Sequence, residues 1–374
     1  MPDADIIDIR AAVVRQAGGP FVIEDAKLGP PQFDEVLIRL VSVGMCHTDM
    51  VIRDQIYPLP LPIVLGHEGA GIVEAVGAHV KKVKPGDHVV LTFLSCGSCR
   101  PCQTGVAAAC ERFNDLNFAG CRQDGSHAIT DAHGHLMQDR FFAQSSFGTY
   151  ALAHERNTVK VRSDAPLEYL GPLGCGIQTG AGTVLNALKV EAGASFAAFG
   201  SGAVGLSAIM AARVAGATTI IAIDVVPSRL ELALGLGATH VIDSRTGDVV
   251  EQIREICPPG VDYAIDSTAR TDVITTAIAA LRPRGTCALV GAARPGVELV
   301  TDLNDLMQQG KIIRGVVEGD SVPDLFIPNL IDLFMQGRFP FDKLVQFYDL
   351  EDINQAAEHS ERGLTIKPII RLPS

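Results

Sequence analysis

The sequence has little positive charge. Its 31 lysines and arginines stand against 43 aspartates and glutamates, which gives a formal net charge of −12. Such an acidic balance argues against a nucleic-acid surface or a polybasic membrane anchor, because both require an excess of cations. The first residues, Met1–Asp8, are acidic where an export signal would be basic, so we expect a cytoplasmic protein.

Long hydrophobic runs are also missing. One uncharged stretch, Ala192–Ala212, has the length of a membrane span, but it contains four glycines and its first half has the pattern of a strand. We interpret it as a buried strand, a turn and the start of a helix, and we expect no membrane contact. Hydrophobic residues make up 47% of the 374, which is enough for proper cores and excludes disorder. This length suggests two or three domains.

The cysteines do not suggest a disulfide framework. Nine is an odd number, and in a long chain it is typical of reduced thiols or metal ligands. Four of them have the spacing C-x2-C-x2-C-x7-C, namely Cys96, Cys99, Cys102 and Cys110. Four thiolates so close together can surround a tetrahedral zinc with no open position, which indicates a structural site. An iron–sulfur cluster or a disulfide pair is the alternative.

Three more residues are candidates for a second metal site. Cys46, His67 and Cys175 each lie at the end of a predicted element, with glycine close by, so that the backbone leaves room around a bulky group. Two thiolates and one imidazole form a set of ligands found in catalytic zinc sites. The fourth position there is open to water or substrate.

The pattern of apolar runs changes near Cys175. Before it, short strand-like runs are broken by proline and glycine, which predicts an irregular β-rich region, and the polar stretch Asn114–Arg140 has little periodicity. After it, apolar runs alternate with helical segments, as in a doubly wound parallel sheet. The predicted strands of this sheet are Ser195–Phe199, Thr219–Ile223, His240–Ile242, Asp262–Ile265, Thr286–Val290 and Ile312–Val317.

A G-x-G-x-x-G motif follows the first of these strands. Gly200 permits the tight turn, Gly202 lets the backbone approach a pyrophosphate, and Gly205 lets helix and strand pack closely. Asp224 ends the next strand, where a carboxylate can accept both hydroxyls of the adenosine ribose and repel a 2′-phosphate. This favours NAD over NADP. The alternative is a glycine turn in an unrelated α/β domain, with Asp224 as a loop-end cap.

Taken together, these motifs resemble the zinc-dependent alcohol dehydrogenases of the medium-chain dehydrogenase/reductase superfamily. The resemblance covers nearly the whole chain. It rests on Cys46-His47-Thr48-Asp49, Gly66-His67-Glu68-Gly69-Ala70-Gly71, the four cysteines, Gly174-Cys175-Gly176 and the glycine motif, in the family's order. Within the family, the segments Cys46–Met50, Arg53-Asp54 and Ser145-Ser146-Phe147 are most similar to the bacterial aryl (benzyl) alcohol dehydrogenases.

The resemblance implies an α/β protein of two domains. A GroES-like β-rich catalytic domain would comprise residues 1–175 and 325–374, with a structural zinc lobe at about 95–112. A Rossmann domain that binds NAD on a doubly wound parallel sheet would comprise residues 176–324, and the active site would lie in the cleft. A homodimer or homotetramer is also implied, because Ile312–Val317 is similar to the strand that family members pair across a dimer.

The resemblance also implies which residues surround the catalytic metal. Cys46, His67 and Cys175 would bind the catalytic zinc, which makes two zinc ions per chain with the structural one. Asp49 would orient the imidazole of His67, and Glu68 could approach the metal transiently.

Other residues would act on the substrate and the cofactor. Thr48 would hydrogen-bond the alcohol and carry its proton outward, although from the residues alone Thr48 and Asp49 could equally cap a helix after Cys46. Animal and yeast members place a histidine three residues further on. Here that residue is Val51, as in the aryl alcohol dehydrogenases, so the proton needs another route. The implied cofactor contacts are His47 and Lys367 at the pyrophosphate, Arg229 at the adenosine ribose, and Val204 with Thr179 at the nicotinamide.

The predicted reaction is the reversible oxidation of benzyl-type primary alcohols to aldehydes, with hydride transfer to NAD. Phe93, Phe141 and Phe142 are candidates to line a pocket for an aromatic group, with plain core packing as the alternative. A terpenoid allylic alcohol such as geraniol, or S-hydroxymethylglutathione, is an alternative substrate. A zinc-free quinone or enoyl reductase would lack the cysteine ligands, and a non-enzymatic protein of crystallin type would be expected to have lost them.

Overall fold

The computed structural model describes residues 6–373, which form two compact units. The first unit comprises the described residues up to Cys175, together with Val322–Met335 and the chain from Asp342 onward. The second comprises Gly176–Ser321 and Gln336–Phe341. Residues 1–5, which contribute to the expectation that no export signal is present, lie outside the described residues.

Strands and helices are numbered in chain order. The strands are β1 (Ile7–Val14), β2 (Phe21–Leu28), β3 (Glu35–Gly44), β4 (Ile63–Val64), β5 (Gly69–Val76), β6 (His88–Leu91), β7 (Ile129–Asp131), β8 (Tyr150–His154), β9 (Thr158–Lys160), β10 (Ser195–Phe199), β11 (Thr219–Asp224), β12 (His240–Asp243), β13 (Val261–Asp266), β14 (Leu281–Leu289), β15 (Ile312–Gly315), β16 (Val345–Asp349) and β17 (Lys367–Arg371). The helices are α1 (His47–Arg53), α2 (Arg100–Gln103), α3 (Phe113–Asn117), α4 (Gly176–Gly182), α5 (Ala203–Ala215), α6 (Pro227–Leu236), α7 (Val249–Ile256), α8 (Thr271–Ala279), α9 (Leu303–Gln309), α10 (Pro323–Met335) and α11 (Ile353–Glu361).

The first unit contains two sheets around one hydrophobic core. The smaller sheet has the order β4-β1-β2-β7, and the larger has the order β16-β17-β3-β5-β6-β9, with β8 also paired to β3. Both supply apolar side chains to the core, such as Val13 and Leu40. Since β17 pairs antiparallel with the end of β3, the C-terminal strand lies beside the chain that leads into Cys46. Residues from both ends of the sequence therefore meet at one site.

The second unit is a parallel sheet with the order β12-β11-β10-β13-β14-β15. Every pair of neighbouring strands is parallel. A helix follows each of the first five strands, which is the connection that parallel neighbours require. The doubly wound fold is therefore confirmed. Ala192–Ala212 contains β10, the glycine turn and most of α5, as interpreted. Among residues 6–373, no helix combines the length and apolar character needed to cross a membrane.

The polar stretch 114–140 is more regular than its sequence pattern suggests. It contains most of α3 and the strand β7, which pairs with β2. The buried carboxylate of Asp139 accepts hydrogen bonds from the backbone N–H groups of Ala128 and Ile129. Bonds between a side chain and the backbone leave no hydrophobic period, which is why the pattern did not reveal this structure.

The glycine turn after β10 has the backbone geometry that its sequence predicts. Gly200 has a φ of +92°, in the left-handed region that favours glycine. A Cβ atom at Gly205 would lie 1.8 Å from the carbonyl oxygen of Gly200, so a larger residue cannot replace it without a shift of the backbone. By contrast, a Cβ atom at Gly202 would meet no described atom within 4 Å.

We predict that Gly205→Ala lowers the free energy of unfolding by about 1–3 kcal/mol, because the added methyl group overlaps a carbonyl that cannot move freely. Gly202→Ala is the matched control. Gly202 is the N-cap residue of α5, and a Cβ atom there would point into open space. The substitution should therefore lower the free energy of unfolding by at most about 1 kcal/mol. Urea denaturation of both variants measures the difference. Equal losses at the two positions would contradict the close packing of Gly205.

Candidate active site and zinc centres

Four side chains of the first unit converge on one point although they are far apart in sequence. The ligand atoms of Cys46, His67, Glu68 and Cys175 all lie within 4.8 Å of one another. Cys46 immediately precedes α1, while His67 and Glu68 lie directly before β5. His67 and Glu68 are fully buried, and Cys175 is 8% exposed. The structure thus brings the three predicted ligands together and adds a carboxylate to them.

The carboxylate of Asp49 holds two of these ligands. Its Oδ1 lies 2.9 Å from Nδ1 of His67 and accepts a hydrogen bond from the N–H of Gly66 at 3.0 Å. Its Oδ2 accepts from the N–H of Cys46 at 2.9 Å. Asp49 therefore caps the start of α1 and orients the imidazole with the same group. A proton on Nδ1 leaves the lone pair on Nε2, and this buried atom has no hydrogen-bond partner among residues 6–373.

The charges at this cluster suit a cation. A hydrogen bond from Cys175 and the charge of Lys367 lower the pKa of Cys46 well below its usual range, against the effect of burial. Burial raises the pKa of Glu68 to about 7, although the charge of Lys367 opposes the rise. Two sulfur atoms and a ring nitrogen thus face one small space. Sulfur and nitrogen donors in this arrangement fit zinc.

Lys367 forms a buried ion pair with Glu68. Its Nζ lies 2.7 Å from Oε1 and 2.6 Å from Oε2 of that carboxylate, and it donates to the carbonyl of Met45 at 3.1 Å. Burial lowers the pKa of Lys367, but the charges of Glu68 and Cys46 raise it by more. The net shift of the pKa is upward, which favours the ammonium form of the side chain. The pair keeps the Glu68 carboxylate beside the cluster. A contact between Lys367 and a pyrophosphate stays a prediction.

Three other residues of α1 lie close to this cluster in sequence. The hydroxyl Oγ1 of Thr48 lies 3.7 Å from Sγ of Cys46. His47, the first residue of α1, is exposed, and Val51 is partly buried. Thr48 is therefore next to a ligand, whereas Val51 offers no group that can accept a proton.

The four closely spaced cysteines form a second cluster in the first unit. Their ligand atoms lie within 4.8 Å of one another, and the Sγ atoms of Cys99 and Cys102 are 3.4 Å apart. Hydrogen bonds from the backbone of Ser98 and Cys99 lower the pKa of Cys96 to about 5. Zinc–sulfur bonds of tetrahedral geometry place sulfurs roughly 3.8 Å apart. This spacing fits one ion and leaves no room for a cluster of several irons.

The cofactor residues predicted from the glycine motif line one cavity of the second unit. Gly200, Gly202, Asp224 and Arg229 all border this cavity of about 580 Å³. Oδ2 of Asp224 accepts a hydrogen bond from the N–H of Ser201 at 2.6 Å, and a guanidinium nitrogen of Arg229 lies 4.0 Å from the same oxygen. The carboxylate is thus fixed at the end of β11 beside an open glycine turn. This is the geometry that recognises the ribose of a dinucleotide.

The two residues implied at the nicotinamide also belong to the second unit. Thr179 lies in α4 and Val204 in the first turn of α5, and these helices pack side by side. Their contact with a nicotinamide stays a prediction.

Phenylalanine rings surround the imidazole of His67. Phe142 stacks on it with ring centroids 4.6 Å apart, and Phe141 approaches edge-on at 5.2 Å. Phe93, Phe141 and Phe142 are all buried, so each packs in the core. Sequence reasoning missed Gln144, a buried amide beside His67, because no spacing or period marks a side chain that bonds to the backbone.

Comparisons with known proteins agree with the fold and with zinc binding. Residues 32–163 match the alcohol dehydrogenase GroES-like domain, and residues 203–335 match the zinc-binding dehydrogenase family. Geraniol dehydrogenase of Castellaniella defragrans is 47% identical over 367 residues, which cover 98% of each chain.

Two solved structures are also similar over their whole length. Benzyl alcohol dehydrogenase from Acinetobacter calcoaceticus superposes with a TM-score of 0.95 at 53% identity and covers 98% of this chain and all of its own. An alcohol dehydrogenase zinc-binding domain protein from Burkholderia ambifaria gives a TM-score of 0.98 at 59% identity, over 99% of this chain and all of its own. Identity of this extent along the entire sequence shows that the chain belongs to the zinc-dependent alcohol dehydrogenases of the medium-chain dehydrogenase/reductase superfamily.

Proposed function

We propose that this alcohol dehydrogenase oxidises benzyl-type primary alcohols to aldehydes with NAD, and that each chain holds one catalytic and one structural zinc. The observation that carries the aromatic substrate is a row of ring contacts that begins at the zinc ligand His67. The ring of Phe142 is stacked on His67, Phe118 lies edge-on to Phe142 at 5.2 Å, and Tyr57 lies 5.9 Å from Phe118. Tyr57 is 42% exposed.

The row favours a substrate that has a ring of its own. Its successive contacts are stacked, edge-on and tilted, and aromatic pairs prefer offset-stacked or edge-on arrangements. Tyr57, the exposed member of the row, offers a further ring contact to the aromatic group of a substrate. Each such contact is worth about 0.5–1.5 kcal/mol beyond the area that is buried. Similarity to a benzyl alcohol dehydrogenase supports the same conclusion.

A terpenoid allylic alcohol is the second candidate. It is supported by 47% identity to a protein described as geraniol dehydrogenase. Like benzyl alcohol, an allylic alcohol is apolar and carries its hydroxyl one carbon from a π system. It lacks a ring, however, and so gains less from edge-on contacts.

The chain's own residues prepare the reaction. When bound, zinc lowers the pKa of an alcohol, and a nicotinamide accepts a hydride. Asp49 fixes the direction of the His67 lone pair. The Thr48 hydroxyl, 3.7 Å from the Cys46 sulfur, can accept a hydrogen bond from the substrate hydroxyl and relay its proton. Val51 cannot accept that proton. We therefore propose that the proton passes to water or to the cofactor ribose.

Asp224 supports NAD over NADP. Three backbone N–H groups, from Ser201, Val225 and Val226, donate to its two carboxylate oxygens and so set its orientation. A carboxylate held in this way can accept from ribose hydroxyls and repels a 2′-phosphate.

The state of the thiols supports a reducing compartment. None of the nine cysteines forms a disulfide in the described chain. Zinc binding requires reduced thiols, and disulfide formation would destroy both clusters. We therefore propose a cytoplasmic location.

We expect benzyl alcohol to give the highest kcat/KM in a panel that also includes cinnamyl, geranyl and ethyl alcohols and S-hydroxymethylglutathione, and NAD to be preferred over NADP. The free energy of one good ring contact corresponds to about a tenfold change in kcat/KM. Tyr57→Leu should lower kcat/KM for benzyl alcohol by up to about tenfold and that for geraniol by less. Tyr169→Leu removes a ring contact with Phe347 elsewhere in the unit and serves as control. A preference for geraniol in the wild type that Tyr57→Leu leaves unchanged would contradict the aromatic assignment.

Metal analysis tests the two zinc sites. We expect two zinc ions per chain in the wild type and one in Cys46→Ala. This variant should lose activity by about a thousandfold or more, since the metal supplies several kcal/mol of stabilisation. Its far-ultraviolet circular dichroism should match that of the wild type. Fewer than two ions in fresh wild-type protein, or activity that survives in Cys46→Ala, would refute the proposal.

We also infer a homodimer or homotetramer. Strand β15 lies at the edge of its sheet, and six large apolar side chains between 297 and 317 are at least half exposed. These residues are Val297, Val300, Leu303, Met307, Ile312 and Val317. An unpaired edge and an exposed apolar patch favour pairing with another chain. Sedimentation should show two or four chains per particle and a shift toward the monomer in Ile312→Lys. A monomeric wild type at micromolar concentration would contradict the inference.

A further inference from the structure

The turn that follows the polar stretch is strained. Phe142, Ala143 and Ser145 have φ angles of +51°, +53° and +48°, in the left-handed region that is unfavourable for residues with a side chain. Such conformations persist only where the surrounding structure enforces them, and they cluster at functional sites. We call residues 141–147 the strained turn. Its contacts show what this conformation achieves.

The strained turn grips the segment that carries His67. Ser146 and Phe147 donate their backbone N–H groups to the carbonyls of Gly66 and Leu65, both at 2.9 Å. The rings of Phe141 and Phe142 lie against the imidazole of His67, as described above. The backbone and the side chain of this metal ligand are thus both held by one short segment.

Gln144 lies at the centre of the strained turn and is 1% exposed. Its Nε2 donates to the carbonyl of His67 at 2.9 Å and to that of Thr92 at 3.2 Å. Its Oε1 accepts from the N–H of Gly69 at 3.2 Å and from the hydroxyl of Ser146 at 3.0 Å. Because carbonyls can only accept and the N–H of Gly69 can only donate, the orientation of the amide is unambiguous. Every hydrogen-bonding group of the amide has a partner.

Through Thr92, the amide of Gln144 is connected to the third ligand. Thr92 is fully buried, and its hydroxyl donates to the carbonyl of Gly174 at 2.7 Å. Gly174 directly precedes Cys175. Gln144 therefore joins the segment of His67 to the segment of Cys175, just as Asp49 joins Cys46 to His67.

We propose that Gln144 is a positioning residue that keeps His67 and Cys175 at the separation a catalytic zinc requires. Its amide donates to the backbone carbonyls of His67 and Thr92 and acts on the ligands through these bonds. The proposal rests on the catalytic zinc of the proposed function. Residues that orient metal ligands typically contribute 10–100-fold to metal affinity or activity.

Release of zinc from the holoenzyme into a competing chelator tests this role. The Cys46→Ala variant identifies which phase of release belongs to the catalytic site. Gln144→Met keeps the size of the side chain and removes all its hydrogen bonds. It should accelerate the catalytic phase by about 10–100-fold and leave the phase of the four-cysteine site unchanged. Gln144→Glu retains the acceptors but loses both donors, so it should accelerate the same phase.

Two further variants make the test specific. Thr92→Val keeps the shape of the side chain and removes the hydroxyl that donates to Gly174. It should therefore accelerate the catalytic phase, and it tests the same connection without any change at Gln144. Asn354→Leu is the matched control. Its amide also bonds a backbone N–H and C=O, those of Phe21, but contacts neither cluster, so both phases should keep their wild-type rates.

Each outcome has a definite meaning. Wild-type release rates in folded Gln144 variants and in Thr92→Val would overturn the proposal. So would equal acceleration of both phases, because that indicates a general loss of stability. A wild type that holds only one zinc would instead overturn the proposed function. In cobalt-substituted enzyme, the visible absorption of the catalytic site should shift in Gln144→Met and stay unchanged in Asn354→Leu.

Discussion

The catalytic site depends on the requirement that a buried carboxylate be fully hydrogen-bonded. Asp49 is completely buried, and a charge in that position is very costly unless donors surround it. Its donors are the N–H groups of Cys46 and Gly66 and the ring N–H of His67. Two of these donors belong to the proposed metal ligands Cys46 and His67, and the third belongs to Gly66, which directly precedes His67. The same bonds that make the burial of Asp49 tolerable therefore fix the geometry of the ligands before a metal arrives.

The parts of the molecule that could be predicted from its sequence are those with local chemistry. The four cysteines lie within fifteen residues, so their spacing predicts that the sulfurs come together around a metal, and in the structure their ligand atoms lie within 4.8 Å of one another. The glycine turn follows an apolar strand and opens a helix, and the structure reproduces both β10 and the conformation of Gly200. The doubly wound sheet could be predicted because buried parallel strands have apolar runs that alternate with helices.

The contacts that hold the catalytic ligands could not be predicted in this way. Glu68 pairs with Lys367, which is 299 positions away in sequence, because β17 joins the sheet beside β3. No hydrophobic period signals that pairing. Gln144 was missed for a different reason: three of its four partners are backbone groups, so no complementary residue type exists to be recognised.

The strained turn also connects the site of the proposed structural zinc to the site of the proposed catalytic zinc. Ala143 belongs to a small apolar cluster with Leu94, Cys110 and Leu116, and the other three cysteines of the lobe pack against it. Its neighbour Phe142 stacks on His67. Phe141, Phe142 and Phe147 of the turn pack in the large core of the unit, and a metal bound by four thiolates would add folding energy on the side of the lobe. The proposed structural zinc would therefore stabilise the lobe, which packs against the strained turn, and the turn contacts the imidazole of the proposed catalytic site.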